Sequence, residues 1–547
     1  MANGSRSTAP RSRKLVSRTS SVHAKDSSLD LKSKSLSPES LARFNSRLSM
    51  TTEQRAQSPV SWKRLAKRSP WLKLLRPHQR SGVEAAVSID GFAALFAQRT
   101  GKTWVTGAVL EVEWDTTLDV LLVGPLTNLK STWEKFLAEK VPGYSVHRDL
   151  DSYLKHQKAF EKAWDHRDHA ILLLNPEALT KKLVARLRRV RWDRFIWDEA
   201  QRLKNRSSAA SRAAALIAQS ARKRLALTGT PMDQDPRDLW AIMRMVAVNA
   251  LGNVWGDFEK HFLVQPTLDL SKAKGAIQRQ KLMLAYMIAK RKAPMRDDRL
   301  DEFAELVGPH VMRISKEDAG IIPATIKLVH FDLDPQEEKR YRQLEKTMVV
   351  KVKGSVITTP LKITQIGKLQ QLTGGHIKDE EGEVHRVGTS KRRRLRRLIL
   401  KHTVADEPFV IFCKYVWEVH ALERMMTRMG YARVAKLWGK VKDTKKDARR
   451  TNMLLAFQRG EIDVMICQQR TGGVGVDLYR ARIFFVYSMG HSFIDYDQML
   501  SRGDFLEQNE EASFFFLVAR NSIDTDIARS VVKKKSITEM FYDRLQH

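Results

Sequence analysis

Residues 95–103 join an apolar, strand-like segment to a helix-like one through a short polar turn. A helix start of this kind presents backbone N–H groups to an anion. Lys102 could bridge the β- and γ-phosphates of a nucleotide, and the Thr103 hydroxyl could hold Mg²⁺. Three further residues complete this predicted phosphate-binding turn: Arg99, Thr100 and Gly101. The full consensus places a glycine five residues before Gly101, where this chain has Phe96, so the turn alone is a weak signal.

A second chemical element follows about a hundred residues later. The apolar run Arg194–Trp197 ends in Asp198 and Glu199. A carboxylate at a strand tip can coordinate Mg²⁺, and its neighbour can orient and polarise an attacking water. Two surface acids at a turn are the simpler reading of such a pair in isolation. Its position downstream of a phosphate loop favours the catalytic reading.

Two flanking segments could extend this site. Gln79, in the run 74–79, could read the adenine edge of a nucleotide through paired hydrogen bonds. The strand-like run 225–231 ends in small hydroxylic residues and could relay the geometry of a bound magnesium phosphate to the rest of the chain.

Composition favours a polyanionic partner. Lys and Arg number 96 against 62 Asp and Glu, which gives a net charge of +34. Such an excess repels itself unless a polyanion is near, and nucleic acid is the usual one; a solvated basic surface and anionic lipid are the alternatives. No apolar run is long enough to span a membrane. The two cysteines, Cys413 and Cys467, lie in apolar stretches and are expected to be buried thiols in a reducing compartment.

Alternation of short apolar runs with helical patterns predicts an α/β fold with two RecA-like lobes, each a parallel sheet covered by helices. Lobe one is expected to contain strands near residues 92–96, 120–123, 170–174, 194–197 and 225–228. Lobe two is expected to contain strands near 409–412, 463–467, 483–487 and 513–518.

Four segments are predicted along the chain. Residues 1–70 resemble a disordered basic tail, with possible protein partners, and an organellar transit peptide is the alternative. Residues 71–247 form lobe one and 396–547 lobe two. A charged helical insertion is expected between them, over 248–395. It ends in a cluster of six cations at 391–397, for which a phosphate contact is favoured over a solvated helix face.

These motifs, in this order, resemble superfamily-two helicases, and among them the Swi/Snf-type DNA translocases. The likeness covers about residues 74–530, with the phosphate loop most similar to phage and bacterial members. Its most specific segments are 75–79, 198–205, 227–232 followed by 238–240, and 471–478. The runs 123–126 with Trp133 and Phe136, and 171–179, resemble the family's nucleic-acid-facing motifs.

The resemblance implies ATP and Mg²⁺ as cofactors and duplex DNA as the partner, with single-stranded DNA less favoured and RNA left open. It implies a soluble protein of a bacterial or phage-infected cytoplasm. In lobe two it assigns Gly475 and Asp477 to the nucleotide and Arg502 to catalysis. For the nucleic acid we select Lys130, Arg206 and Thr471.

One position departs from the family pattern. In the last motif Gln498, Ser501, Arg502 and Gln508 align, but Phe505 occupies the position of a second arginine, which in the family acts on the γ-phosphate. Loss of such a charge can slow turnover by about 10³-fold or more. The expected function is therefore an ATP-hydrolysing DNA motor, with an ATP-gated clamp of weak hydrolysis as the alternative.

Overall fold

The computed structural model describes residues 60–229, 237–247, 249–271, 275–291, 293–347, 349–352, 355–358, 362–404, 407–439, 441, 449–469, 478–490, 493–503 and 511–529. The chain divides into two compact units. The larger includes residues 36–263 and 295–547, and the smaller includes 264–294. No helix in the described part of the chain is both long and apolar enough to cross a membrane.

Lobe one is a seven-stranded parallel sheet in the order β3-β4-β2-β5-β6-β1-β7. Its strands are β1 (Gly91–Phe96), β2 (Asp119–Val123), β3 (Ser145–His147), β4 (Ala170–Leu174), β5 (Trp192–Asp198), β6 (Ala221–Thr228) and β7 (Val311–Ile314). Strands β1 and β4 are apolar and buried along their whole length because helices cover both faces of the sheet. All five strands predicted for this lobe are confirmed.

The helices of this lobe connect successive strands or flank the sheet. They are α1 (Trp62–Arg68), α2 (Pro77–Ser88), α3 (Lys102–Val112), α4 (Leu126–Asn128), α5 (Glu134–Lys140), α6 (Leu150–Trp164), α7 (Lys181–Leu187), α8 (Ala209–Ala218), α9 (Asp238–Val246), α10 (Trp255–Phe262) and α12 (Leu300–Val307). A π-helical turn, Leu129–Trp133, separates α4 from α5. Short 3₁₀ turns include Pro70–Leu74 and Ala200–Leu203.

Lobe two is a six-stranded parallel sheet in the order β14-β15-β13-β16-β17-β8. Its strands are β8 (Thr325–Phe331), β13 (Phe409–Cys413), β14 (Val434–Leu437), β15 (Val464–Gln468), β16 (Ile483–Val486) and β17 (Ser513–Ala519). Side chains alternate between two apolar clusters, one on each face of the sheet. The four strands predicted for this lobe are confirmed, and both cysteines are buried in it as expected.

The helices that accompany lobe two are α13 (Pro335–Thr347), α14 (Lys362–Thr373), α15 (Ser390–His402), α16 (Val416–Arg428), α17 (Arg449–Arg459) and α18 (Phe493–Leu500). Two antiparallel hairpins lie beside them in the chain: β9 (Val349–Val352) with β10 (Ser355–Thr358), and β11 (His376–Lys378) with β12 (Val384–Arg386).

The smaller unit contains α11 (Ala276–Arg291). Large apolar side chains of this helix are exposed, including Ile277, Leu284 and Met287.

Element boundaries differ from the sequence prediction in two places. Helix α1 lies inside the interval assigned to a disordered tail, because Trp62 and Leu65 pack on the lobe-one core and the Trp62 indole donates to Glu84 Oε1 at 2.7 Å. Residues 1–59 lie outside the described part of the chain. The predicted helical insertion contributes β7 to one sheet and β8 to the other. Strand β8 is an edge strand with several exposed positions, so it lacks the continuous apolar run used to find the others.

Candidate functional site

The phosphate loop lies between the buried strand β1 and helix α3. Gly101 precedes α3 in a left-handed conformation, with φ of 93°. A Cβ atom there would lie 2.1 Å from Gln79 Nε2, so only glycine fits. Arg99 also has a positive φ, 71°, which is uncommon for a residue with a side chain. The loop therefore has the turn geometry that the sequence predicted.

Lys102 occupies the first turn of α3, and its ammonium group points back into the loop. Nζ donates to the carbonyl oxygens of Phe96 and Ala97 at 2.8 and 3.1 Å. Burial lowers the pKa of Lys102, against the opposing influence of the Glu199, Asp198 and Asp497 carboxylates. The ammonium thus lies in the field of carboxylates from both lobes.

Two residues before the loop fix its position. Gln79 is buried; its Oε1 accepts from the backbone N–H of Arg76 at 3.0 Å, and its Nε2 donates to Thr100 O at 3.0 Å. His78 Nε2 also contacts Thr100 O, at 2.9 Å. The carboxamide of Gln79 therefore holds the phosphate loop. Its predicted contact with adenine stays a prediction.

Asp198 ends β5 beside the loop that follows β2. Its Oδ2 accepts from Trp133 Nε1 at 3.0 Å and from Asn128 Nδ2 at 3.2 Å. A Cβ atom on Gly124 would lie 3.1 Å from the Cβ of Asp198, so a glycine allows the two strand ends to approach. Burial and the neighbouring Glu199 charge raise the pKa of Asp198 to about 6. The carboxylate is held mainly by neutral donors, which leaves its charge available.

Glu199 begins a hydrogen-bonded path toward β6. It adopts a left-handed backbone conformation, with φ of 56°, and its N–H donates to Asp198 Oδ1 at 2.9 Å. Its carboxylate accepts from the amide of Gln201, whose Oε1 accepts from Thr228 Oγ1 at 2.7 Å. The end of β6 is therefore linked to Glu199, and the relay expected for run 225–231 stays a prediction. Residues 230 and 231 lie outside the described part of the chain.

Lobe two reaches the phosphate loop through its last motif. Arg99 Nε donates to the backbone oxygen of Ser501 at 3.2 Å. Asp497, on α18, is close enough to influence Lys102. Arg502 is buried, and its charge opposes the rise in the pKa of Cys467, which burial brings to about 12. The other lobe-two residues assigned to the site, namely Thr471, Gly475, Asp477, Phe505 and Gln508, lie outside the described residues.

Of the three residues predicted to contact nucleic acid, Lys130 and Arg206 are exposed on lobe one, and Thr471 lies outside the described residues. Lys130 is exposed on the π-helical turn, and the guanidinium of Arg206 is exposed 3.9 Å above the Trp255 ring. Trp133, taken as part of a nucleic-acid-facing motif, is fully buried and binds Asp198 instead. Arg520, a further arginine of lobe two, pairs with Asp332 at 2.7 Å.

The basic cluster at 391–397 is only partly exposed. Lys391 is buried and pairs with Asp524 at 2.7 Å, and Arg393 pairs with Asp334. Leu395 is also buried, on the apolar face of α15. Lys391 therefore cannot take part in the phosphate contact favoured for this cluster, because its charge is neutralised inside lobe two.

Sequence reasoning missed the residues that support the acid pair and the loop: Asn128, His78, Asp497 and the indole function of Trp133. Strands β2 and β5 are parallel neighbours, with Val123 opposite Trp197. Residues just after β2 must therefore meet those at the tip of β5, and Asn128 was a candidate on this ground.

The donors and acceptors present fit a magnesium nucleotide. Within the described chain, the buried Nε2 of Gln98 in the loop and the buried Oδ1 of Asn128 beside Asp198 have no hydrogen-bond partner. Phosphate oxygens would satisfy the first, and a metal-bound water the second. The described residues contain no group of three or more metal-binding side chains.

Two parallel-sheet lobes with a phosphate loop and an acid pair at one sheet edge define a nucleotide-binding α/β protein. The SNF2-related domain matches residues 22–373, and the helicase conserved C-terminal domain matches residues 390–503. The first match covers more than half of the chain, which therefore belongs to the SNF2-related family. The resemblance inferred from the motifs is confirmed.

Similar proteins come from distant organisms. A Bacillus subtilis protein named as an ATP-dependent helicase/translocase, YwqA, is 23% identical over 74% of this chain and 42% of its own length. The mouse chromodomain-helicase-DNA-binding protein 1-like is 22% identical over 77% of this chain and 44% of its own length. The chain thus spans less than half the length of these relatives. The solved SWI2/SNF2 ATPase core of Sulfolobus solfataricus in complex with dsDNA is 20% identical, with 86% of this chain and 92% of that chain covered and a TM-score of 0.37.

Proposed function

We propose that this protein is an ATP-hydrolysing motor that moves along or remodels duplex DNA. The observation that carries the proposal is the group formed by Lys102, Asp198 and Glu199 at the carboxyl edge of lobe one, with lobe two in contact with the same loop. A protein that only bound nucleic acid would have no need of these three groups together.

Each of the lobe-one site residues has a distinct role in the proposed reaction. Lys102 would leave its two backbone acceptors and neutralise the β- and γ-phosphates, while Thr103 and Asp198 would hold Mg²⁺. The bound ion supplies charge neutralisation at the phosphates. Glu199 orients and polarises the attacking water. Its left-handed backbone and its bond from Gln201 fix the direction of its carboxylate.

Coupling between chemistry and movement would use two contacts. The path from Glu199 through Gln201 to Thr228 connects the catalytic carboxylate to the end of β6. The bond from Arg99 to Ser501 connects the phosphate loop to lobe two. A change at the phosphates alters both contacts, so ATP binding would close the lobes and hydrolysis would release them.

Duplex DNA is the proposed track because the charge excess of +34 favours contact with phosphate backbones. The exposed cations Lys130 and Arg206 are candidate contacts from lobe one, and Thr471 is a candidate from lobe two. Gly475, Asp477 and Arg502 would complete the nucleotide site. Such contacts are independent of sequence and sensitive to salt, as backbone tracking requires.

An ATP-gated clamp with weak hydrolysis is the second candidate, and it rests on Phe505. This residue stands where the family pattern has its second arginine. In a clamp, ATP would close the two lobes on DNA and the complex would persist, because the charge that assists γ-phosphate cleavage is absent.

Phosphate release separates the two candidates. The full chain is assayed without nucleic acid and with duplex DNA, single-stranded DNA, forked DNA and RNA. The motor predicts stimulation, largest with duplex DNA, and its loss in Lys102→Ala. If duplex DNA gives no stimulation and Phe505→Arg creates it, the clamp is correct and the motor is not.

A further inference from the structure

A concavity lies at the amino edge of the lobe-one sheet, opposite the edge that carries the nucleotide site. It has a volume of about 380 Å³. Four of its lining side chains are arginines: Arg188, Arg189, Arg191 and Arg222. We call this concavity the arginine pocket. Gln219 and Ser220 add neutral polar groups to its wall.

Two neighbouring turns build the arginine pocket. Helix α7 ends at Leu187, and the turn that follows supplies three arginines before β5 begins at Trp192. Helix α8 ends at Ala218, and the next turn leads into β6. Strands β5 and β6 are parallel neighbours with Trp192 opposite Ala221, so both incoming turns lie side by side at the amino edge. The convergence of four cations is therefore fixed by the sheet.

The charges of the arginine pocket are poorly compensated by the protein. Arg188, Arg189 and Arg191 are exposed, and no carboxylate in the described chain pairs with their guanidinium groups. Arg222 donates to Thr116 O at 2.7 Å and lies 3.7 Å from Asp193. That carboxylate also accepts two backbone N–H groups, so it is shared.

Helix capping does not account for this arrangement. Cations are favourable near the carbonyl end of a helix, and Arg188 and Arg189 follow α7 directly. That effect falls off within the last turn, and α7 has only seven residues. It gives no reason for Arg191 and Arg222, which flank the start of two strands. Four like charges around one concavity are unfavourable in the absence of an anion.

The arginine pocket is separate from the nucleotide site. Strand β5 runs for seven residues from Trp192, at the pocket, to Asp198, at the acid pair. At about 3.3 Å per residue, the two sites are roughly 20 Å apart along the strand.

We propose that the arginine pocket is a second phosphate-binding site, independent of the nucleotide site. Guanidinium groups bind phosphate through paired hydrogen bonds, and four of them around one concavity suit a ligand with two or more phosphate groups. The apolar lining consists of Val190 and Ala221, which offer no stacking surface for a base. The ligand is recognised by its phosphates, which belong either to a free polyphosphate or to a nucleic-acid backbone.

The test compares two triple variants of the full chain in a Lys102→Ala background, which weakens the nucleotide site. One removes the pocket cations: Arg188→Gln, Arg189→Gln and Arg191→Gln. The control removes three exposed cations elsewhere: Arg212→Gln, Arg424→Gln and Arg428→Gln. Both lower the net charge by the same amount. Circular dichroism and thermal melting verify that each variant is folded.

Two ligands distinguish the sources of phosphate. Calorimetric titration with pyrophosphate, without Mg²⁺, is expected to lose at least about tenfold in affinity in the pocket variant but not in the control. For a 30-base-pair duplex, the slope of log affinity against log salt is expected to fall by up to about 2.7 in the pocket variant relative to the control. If only the affinity for pyrophosphate falls in the pocket variant, the ligand is a free polyphosphate. If the salt slope for the duplex also or instead falls, the ligand is a nucleic-acid backbone. If neither ligand distinguishes the variants, the proposal is overturned.

Discussion

Two charged residues of strand β5, Arg194 and Asp198, lie in opposite electrostatic environments. Arg194, near its start, is fully buried; its Nε donates to Glu113 at 2.9 Å, and Lys223 contacts the same carboxylate at 2.6 Å. Asp198, at its end, accepts mainly from a neutral amide and an indole. The charge of Arg194 is neutralised by the adjacent Glu113 carboxylate. The charge of Asp198 remains available, as expected of a group proposed to bind a metal.

We therefore expect Arg194 to contribute to stability and Asp198 to contribute to chemistry, although both lie on the same strand. A buried ion pair that loses one partner leaves an uncompensated charge, so replacing one member should destabilise the fold. A carboxylate with neutral donors and a raised pKa is poised for ligand binding, and replacing the groups around it should alter activity more than stability.

Glu199→Gln should produce the largest effect on activity. Loss of a group that polarises the attacking water should lower the rate of duplex-stimulated phosphate release by about 10²–10⁴-fold, with ATP binding retained. Stopped-flow phosphate detection and nucleotide titration measure the two quantities. Glu161→Gln, an exposed change on α6, is the control and should be neutral. Full activity in Glu199→Gln would show that Glu199 does not polarise the attacking water.

Arg194→Met should have the largest effect on stability. Because Glu113 would lose its main partner inside lobe one, the free energy of unfolding should fall by about 3–5 kcal/mol. This corresponds to a lower thermal midpoint by on the order of 10 °C. Below that midpoint, phosphate release per folded molecule should change little.

A compensated variant sharpens this test. Replacing Arg194, Glu113 and Lys223 together by Met, Leu and Met removes all three charges and should recover most of the lost stability. If the triple variant is no more stable than Arg194→Met, the ion cluster acts through its shape rather than through its charge.

The sequence predicted Lys102, Asp198 and Glu199 as site residues because residue type and order along the chain carry that information. It did not identify the role of Trp133, because the bond from this indole to Asp198, 65 residues away, depends on the ends of β2 and β5 meeting at one edge of the sheet. It also missed β8, because an edge strand has no continuous apolar run. Both the bond from Trp133 to Asp198 and the pairing of β8 depend on tertiary structure, which the local sequence pattern does not show.

Trp133→Phe tests the neutral donor at Asp198. Loss of one hydrogen bond to a charged acceptor should weaken magnesium-nucleotide binding by about 1.5–3 kcal/mol, or roughly 10- to 100-fold. Trp192→Phe is the matched control, since its buried indole donates to Leu187 O at 3.0 Å in the same lobe, away from Asp198. Equal effects of the two changes on binding would refute a specific role for Trp133.

The pH dependence should follow Asp198. Burial and Glu199 raise its pKa to about 6, so between its ordinary pKa and 6 the folded state keeps a proton that the unfolded state loses. The associated stabilisation is present at low pH and is lost as pH rises through 6. Magnesium binds the ionised form. Its apparent affinity should therefore fall by about tenfold from pH 7 to pH 5.

Titration of the Mg²⁺ requirement for nucleotide binding at several pH values measures this effect. In Trp133→Phe the fall should begin at higher pH, because a donor that favours the ionised carboxylate is lost. An identical pH profile in both proteins would show that the indole does not influence the carboxylate.

The most direct test of the account is phosphate release from ATP by the full chain, with and without duplex DNA. A DNA-driven motor predicts that duplex DNA stimulates release in the unmodified protein. It also predicts that Lys102→Ala abolishes release in both conditions while the thermal midpoint stays unchanged. Release that is unaffected by duplex DNA, or that survives in Lys102→Ala, would contradict a DNA-driven motor built on this site.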